Sequence, residues 1–248
     1  LAVDNYGVTK IFPDRVGGKT LFQESSNFTT DYSQHGYASL PGVQVWRKTF
    51  AFTSSGSKLL NPNQEVTIYV YLPSLNPEYN SDPSLTHCKI GSGLDIKLRG
   101  GFHTSTGSSS AHCYIFHYEY EGGDCNDFQK EYPHPKYYKN TIAEDNAFTN
   151  WIGRALGFKV ITLNTPDNNK VEFWCYFDPS AVVDSNGKIV FTNDWRLRYH
   201  GIDSGQYALD QAQPPFTTTW GKYTEFRLDN APNTTKAFYA SLREIQRP

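Results

Sequence analysis

Cationic, imidazole, phenol and carboxylate side chains recur at alternate positions in three separated stretches of this sequence. In Leu94-Asp95-Ile96-Lys97-Leu98-Arg99-Gly100-Gly101-Phe102-His103, the apolar Leu94, Ile96, Leu98 and Phe102 alternate with Lys97, Arg99 and His103. In Cys113–Glu121, the aromatic Tyr114, Phe116, Tyr118 and Tyr120 alternate with a set that includes His117, Glu119 and Glu121. In Tyr223–Asp229, Tyr223, Glu225, Arg227 and Asp229 share one side. Side by side, the three would merge their polar sides into one surface. Such a surface suits a sugar polymer containing uronic acids, because Lys and Arg pair with carboxylates and flat aromatics stack on pyranose rings. Elimination across a uronate needs a cation that neutralises the carboxylate, a base for the adjacent proton and an acid for the leaving oxygen. Arg99, helped by Arg227, fits the first role, His117 the base, and Tyr223 or His103 the acid. Lys97, Glu119, Glu225 and Arg227 would line the groove, with Lys130, His134 and Trp174 as further substrate contacts. Each has a plainer reading: a hydrogen-bonded surface histidine, cross-strand pairs of Arg99 and Arg227 with Glu119 or Glu225, a packing tyrosine.

Strands must position these groups, since alternation with period two sends successive side chains to opposite faces. Val66–Leu72 is rich in β-branched and aromatic residues and reads as a strand, and a strand pair begins at Val43–Phe52. Leu156–Leu163 and Lys170–Asp178 form a hairpin across Thr165–Asn169. Trp195–Tyr199, Tyr223–Asp229 and Ala237–Ile245 complete the set. Phe128–Tyr138, interrupted by Pro133 and Pro135, reads as a rim loop, and its His, Tyr and Lys side chains could grip substrate or simply pack on the edge. Gly122-Gly123-Asp124 reads as a turn and Glu144–Trp151 as a short helix. There is no internal repeat and no linker. Many strands without a βαβ rhythm predict an all-β, two-sheet β-sandwich with jelly-roll topology, one domain over 1–248.

With 248 residues the chain can bury a sizeable core. Aromatics make up 15% and charged residues 19%, and the 19 Gly and 14 Pro punctuate turns. A net charge of −2 gives no basis for nucleic acid as partner, and no apolar run approaches a membrane span. The chain starts at Leu1 and lacks Met, as a processed secretory protein would. Four Cys suit an oxidising compartment. Cys113 with Cys125 and Cys88 with Cys175 is one of three connectivities. Asn27-Phe-Thr and Asn233-Thr-Thr are glycosylation sequons. Together these point to a secreted or cell-surface protein. No zinc spacing occurs among the seven His, and Asp167, Asp178 and Asp203 are scattered. No cofactor is called for, a structural calcium being the one left open.

The order of these segments resembles the concanavalin-like jelly-roll polysaccharide lyases of the alginate lyase and glucuronan lyase type. There an Arg-bearing strand precedes a strand with a catalytic His, and a late strand of the form Tyr-Phe-Lys-Ala-Gly-x-Tyr precedes a closing one. Lys97-Leu98-Arg99-Gly100-Gly101, Tyr114-Ile115-Phe116-His117, Glu225-Phe226-Arg227-Leu228-Asp229-Asn230 and Ala240–Ile245 stand in those places. The resemblance implies a lyase acting on an acidic polysaccharide. The Arg-x-Glu-x-Arg of the family's first strand is absent, as are the Gln of Gln-x-His and the Tyr after the late glycine. A lectin-like or structural sugar-binding protein is therefore the alternative. A glycoside hydrolase using the Glu119-Tyr120-Glu121-Gly122-Gly123-Asp124 carboxylates is the third reading.

Overall fold

Alternating apolar and polar side chains build two antiparallel sheets, seen in a computed structural model. It describes residues 1–23, 28–29, 45–51, 61–74, 93–100, 112–120, 126–131, 137–141, 152–206, 213–217, 223–229, 231 and 235–248. His103, His134, Cys88, Cys125, both sequon asparagines, the 122–124 turn and the helix expected over 144–151 lie outside these residues. In chain order the strands are β1 (Thr20–Gln23), β2 (Phe28–Thr29), β3 (Val45–Ala51), β4 (Gln64–Leu72) and β5 (Gly93–Gly100). There follow β6 (Cys113–Tyr118), β7 (Asp127–Glu131), β8 (Tyr137–Thr141), β9 (Arg154–Asn164) and β10 (Val171–Asp178). The last are β11 (Val182–Val183), β12 (Ile189–Val190), β13 (Arg196–Asp203), β14 (Tyr223–Asp229) and β15 (Lys236–Glu244). A six-stranded sheet runs β3-β14-β5-β6-β7-β8. A seven-stranded sheet runs β1-β15-β4-β9-β10-β13, with β2 also on β15. The chain passes repeatedly from one sheet to the other, giving the all-β sandwich with jelly-roll topology that the alternation predicts. Among the described residues there is no helix, and none therefore long and apolar enough to cross a membrane.

The segment over 128–138 corrects an expectation. It holds β7 and β8 rather than a rim loop, because Pro133 and Pro135 fall between the two strands and cost neither a ladder hydrogen bond.

The core lies between the sheets. Leu94, Ile96 and Leu98 of β5, Tyr114, Phe116 and Tyr118 of β6, and Phe226 and Leu228 of β14 come from one side. Val66, Ile68 and Val70 of β4, Leu156, Phe158 and Val160 of β9, and Val171, Phe173 and Cys175 of β10 come from the other. Aromatic rings bridge the sheets, with Tyr118 at 5.1 Å from Phe158 and 4.9 Å from Phe177.

A third layer covers the outward side of the seven-stranded sheet. Val8 and the 181–195 segment close over Tyr69 and Tyr239, and Ile11 and Phe12 over Ile161, Leu163 and Ile245. Beneath it Lys159 and Arg243 both bind the fully buried Glu65 (2.6 and 2.7 Å), and Arg243 also pairs with Asp14. A buried carboxylate with two cations is compensated where a single ion would not be. Burial pushes Glu65 up, but Lys159 and Arg243 outweigh it and hold the carboxyl below its ordinary value.

Two cysteines depart from the expected bridging. Cys113 and Cys175 are free thiols, so neither Cys113–Cys125 nor Cys88–Cys175 is formed. Cys175 sits in the core and Cys113 faces outward, donating to Glu131 Oε2 at 3.1 Å. Burial, with the Glu131 carboxylate, pushes the Cys113 thiol well up.

Candidate functional site

Strand pairing brings the three polar stretches together: β14 lies beside β5 and β5 beside β6. Register then lines up the side chains that point away from the core. Arg227 stands opposite Asp95, and Asp95 opposite His117. One step along, Glu225 stands opposite Lys97, and Lys97 opposite Ile115. Neighbouring strands lie about 4.8 Å apart, so each row is a ladder of groups in contact range. This outward face of the six-stranded sheet is the candidate site.

Its upper row is ionic and ordered. His117 Nδ1 meets Asp95 Oδ1 at 2.6 Å, and Nε2 meets Glu119 Oε1 at 3.1 Å. Arg227 forks onto Asp229, with Nε to Oδ1 and Nη2 to Oδ2 both at 2.6 Å, and its Nη1 lies 3.9 Å from Asp95. Side-chain exposure is 13% for His117, 12% for Asp95 and 25% for Arg227, so this row is the accessible part of the face. Burial pushes the His117 ring down, but hydrogen bonds to Asp95 and Glu119 outweigh it and hold the ring up at about 10. Burial likewise works against the Asp95 carboxylate, and His117 and Arg227 keep it well below its ordinary value. His117 is therefore an imidazolium at neutral pH, donating from both nitrogens. A ring in that state has no lone pair with which to take a proton. Gly93 makes the arrangement fit: it has φ +144°, and a Cβ there would lie 2.4 Å from the Tyr118 carbonyl and 3.0 Å from His117 Cε1.

The structure separates several residues that the alternation places together. Arg99 is on the other side of the sheet. The β14–β5 register slips between Tyr223 and Glu225, and Arg99 has φ 55°. A bulge of this kind re-aims a side chain across the sheet. Arg99 is 1% exposed and reaches the opposite sheet, donating to Thr162 Oγ1 (3.3 Å), Asn164 Oδ1 (2.5 Å) and the Phe216 carbonyl (2.7 Å). Burial pushes its guanidinium down to about 10, with Tyr114 and Asp203 opposing. Lys130 is also interior. Its Nζ lies 2.8 Å from Asp203 and 2.9 Å from each of the Gln213 and Pro214 carbonyls. Trp174 belongs to β10, on the outward face of the other sheet, stacked on His200 at 4.9 Å and against Phe12 at 5.1 Å. None of the three lines the face that carries His117.

Lys97, Glu119, Glu225 and Arg227 do share that face, and Tyr223 takes the register position opposite Gly100. Two members were given no role in the sequence reading: Asp95, the partner of His117, and Asp229, which was placed on this side there and proves to be the partner of Arg227. The signal for both was there, since each continues the alternation that selects Lys97 and Arg227. Among the described residues no group of three or more His, Cys, Asp or Glu side chains could hold a metal ion.

No known protein family matches the sequence, and no curated protein matches it. Solved structures similar to the chain include a legume lectin-like domain from Entamoeba histolytica, at 8% identity and TM-score 0.39, covering 93% of this chain and 92% of that one. Lectin II from Ulex europaeus gives 8% identity and TM-score 0.38, with 90% and 92% covered. Peanut lectin with a nine-residue peptide gives 10% and 0.33, with 93% and 100% covered.

Proposed function

We propose that the protein is a non-catalytic carbohydrate-binding protein that takes its ligand on the outward face of β14, β5 and β6. The observation that carries this reading is the His117 imidazolium clamped between Asp95 and Glu119. Elimination needs an unprotonated base and a carboxylate-neutralising cation on one side of the sheet. Here the ring is charged and both its nitrogens are engaged, while Arg99 lies behind the sheet among Thr162, Asn164 and Phe216. What remains is a rigid surface of charged donors and acceptors. Sugar hydroxyls donate and accept at once, and groups already held in place lose little freedom on binding them. A secreted location belongs to the same proposal and rests on the Asn27 and Asn233 sequons.

The test is isothermal titration of the intact protein with a panel of neutral and uronate oligosaccharides, run beside ultraviolet absorbance for unsaturated products. Binding without a rise in absorbance is the expected result. A rise in absorbance that His117→Ala abolishes would make the protein a lyase and overturn the reading. Failure to bind any member of the panel would overturn it as well.

A further inference from the structure

Lys130 and Asp203 form an ion pair that water does not reach. Nζ lies 2.8 Å from Asp203 Oδ2, and both side chains are 0% exposed. Rings close the pair in: Phe216 lies 4.9 Å from Nζ, and Tyr114 packs on Phe216 and Phe173 at 4.8 and 4.7 Å. A buried ion pair costs desolvation at both ends, and passing one proton from the ammonium to the carboxylate removes both charges. The surrounding hydrogen bonds suit that neutral form. Two N–H groups of Nζ are held by the Gln213 and Pro214 carbonyls at 2.9 Å each, so once the third proton has moved the lone pair faces the carboxyl. Asp203 Oδ1 accepts from the Gly205 N–H at 2.9 Å, and Oδ2 from the Tyr114 hydroxyl at 2.6 Å. An amine, a carboxyl carbon, a donor on one oxygen and an acid on the other are what amide formation requires. Burial also pushes the Lys130 amine below its ordinary value, with Asp203 opposing.

We propose that Lys130 Nζ and Asp203 Cγ join in an isopeptide bond, formed by the folded chain itself, that ties β7 of the six-stranded sheet to β13 of the seven-stranded one. The ammonium first gives a proton to Oδ2. The Nζ lone pair then attacks Cγ, and the Gly205 N–H holds the negative charge that develops on Oδ1, with the Arg99 charge facing the same cluster. Tyr114 protonates Oδ2, the Cγ–Oδ2 bond breaks and water leaves. A second proton, shed by Nζ, restores the Tyr114 hydroxyl. One C–N bond replaces one C–O bond, no oxidant or reductant is consumed, and the amide carries no charge to desolvate. A second buried pair, Lys159 with Glu65, makes the contrast. Arg243 at 2.7 Å and the Ile11 and Phe12 N–H groups keep Glu65 ionised, and a carboxylate is a poor electrophile. Arg99 spends its hydrogen bonds on Thr162, Asn164 and Phe216, and leaves Asp203 free to take the proton.

The experiment is the intact mass of the reduced, denatured wild-type chain, followed by tryptic mapping. The chain should be lighter than its unmodified mass by one water. The map should show a branched peptide joining residue 130 to residue 203, with no cleavage after Lys130. Lys130→Met and Asp203→Ala should each carry the full mass of its own sequence, and Tyr114→Phe should stay largely unjoined. A wild-type chain at full mass would overturn the proposal. A water lost from a linear peptide, as a succinimide at Asp203, would overturn it too. A Tyr114→Phe chain joined as completely as the wild type would take the acid's role from the tyrosine. The wild-type measurement needs no variant, so it decides the bond even where a variant does not fold.

Discussion

Replacing Arg99 with Met tests whether this side chain ties the two sheets together or serves the ligand. Met keeps the length and drops the charge and the donors. Two acceptors lose their donor, Asn164 Oδ1 and the Phe216 carbonyl, whereas Thr162 retains its own bond to the Pro62 carbonyl at 3.1 Å. Each orphaned buried acceptor costs about 1–3 kcal/mol, so the loss is about 4 kcal/mol. Against it stands the relief of an uncompensated buried charge. Depression of the guanidinium to about 10 corresponds to roughly 3 kcal/mol at about 1.4 kcal/mol per pH unit. The backbone term cancels, because Met at φ 55° is no better placed than Arg. The net expectation is a protein less stable by about 1–2 kcal/mol, and a melting temperature lower by roughly 2–8 °C for a chain of this size. Urea denaturation and thermal melting measure the first effect. Titration with whichever glycan the wild type binds should give an unchanged affinity at temperatures where both proteins are folded. An affinity loss of tenfold or more with an unshifted melting curve would place the guanidinium in the binding face and refute the inward assignment.

Two more measurements bear on the same geometry. The His117 ring should titrate with a midpoint near 10 in an NMR pH series, and Asp95→Asn should move that midpoint down. A histidine whose folded value is raised contributes stability that is complete below its unfolded value of about 6.5 and is lost as pH rises through the folded one. Wild-type stability should accordingly fall between pH 7 and 10 more steeply than that of His117→Gln, and a midpoint near 6.5 would dissolve the clamp. Cys113 and Cys175, buried as free thiols with raised values, should resist iodoacetamide in the native protein and react once guanidinium unfolds it without reductant. Peptides still unlabelled in denaturant would show that they are bridged after all.

Much of the fold was legible because period-two alternation is a direct record of which face each side chain takes. Val66, Ile68 and Val70, then Val171, Phe173 and Cys175, name their strands and their buried sides at once. The adjacency of β14, β5 and β6 was legible only as a matching of polar kinds, and pairing supports it. Arg99 was not, since alternation assumes an unbroken register and a bulge one residue before Gly100 reverses the outcome without changing the composition. Nor was the state of His117. A histidine between two like-facing carboxylates is fixed by distances of 2.6 and 3.1 Å that depend on how strands pair, not on spacing along the chain.

The two misplaced cations share a physical cause. Pro214 and Pro215 have no N–H, so the stretch 213–217 cannot join a ladder, and its carbonyls enter the interior without strand partners. Long cationic side chains from the facing strands supply the missing donors: Lys130 to the Gln213 and Pro214 carbonyls, and Arg99 to that of Phe216. The Tyr114 hydroxyl accepts from the Phe216 N–H at 2.7 Å and donates to Asp203 at 2.6 Å, and Asp203 in turn neutralises Lys130. Side chains that look like groove cations in a linear reading are thus consumed in closing one end of the sandwich.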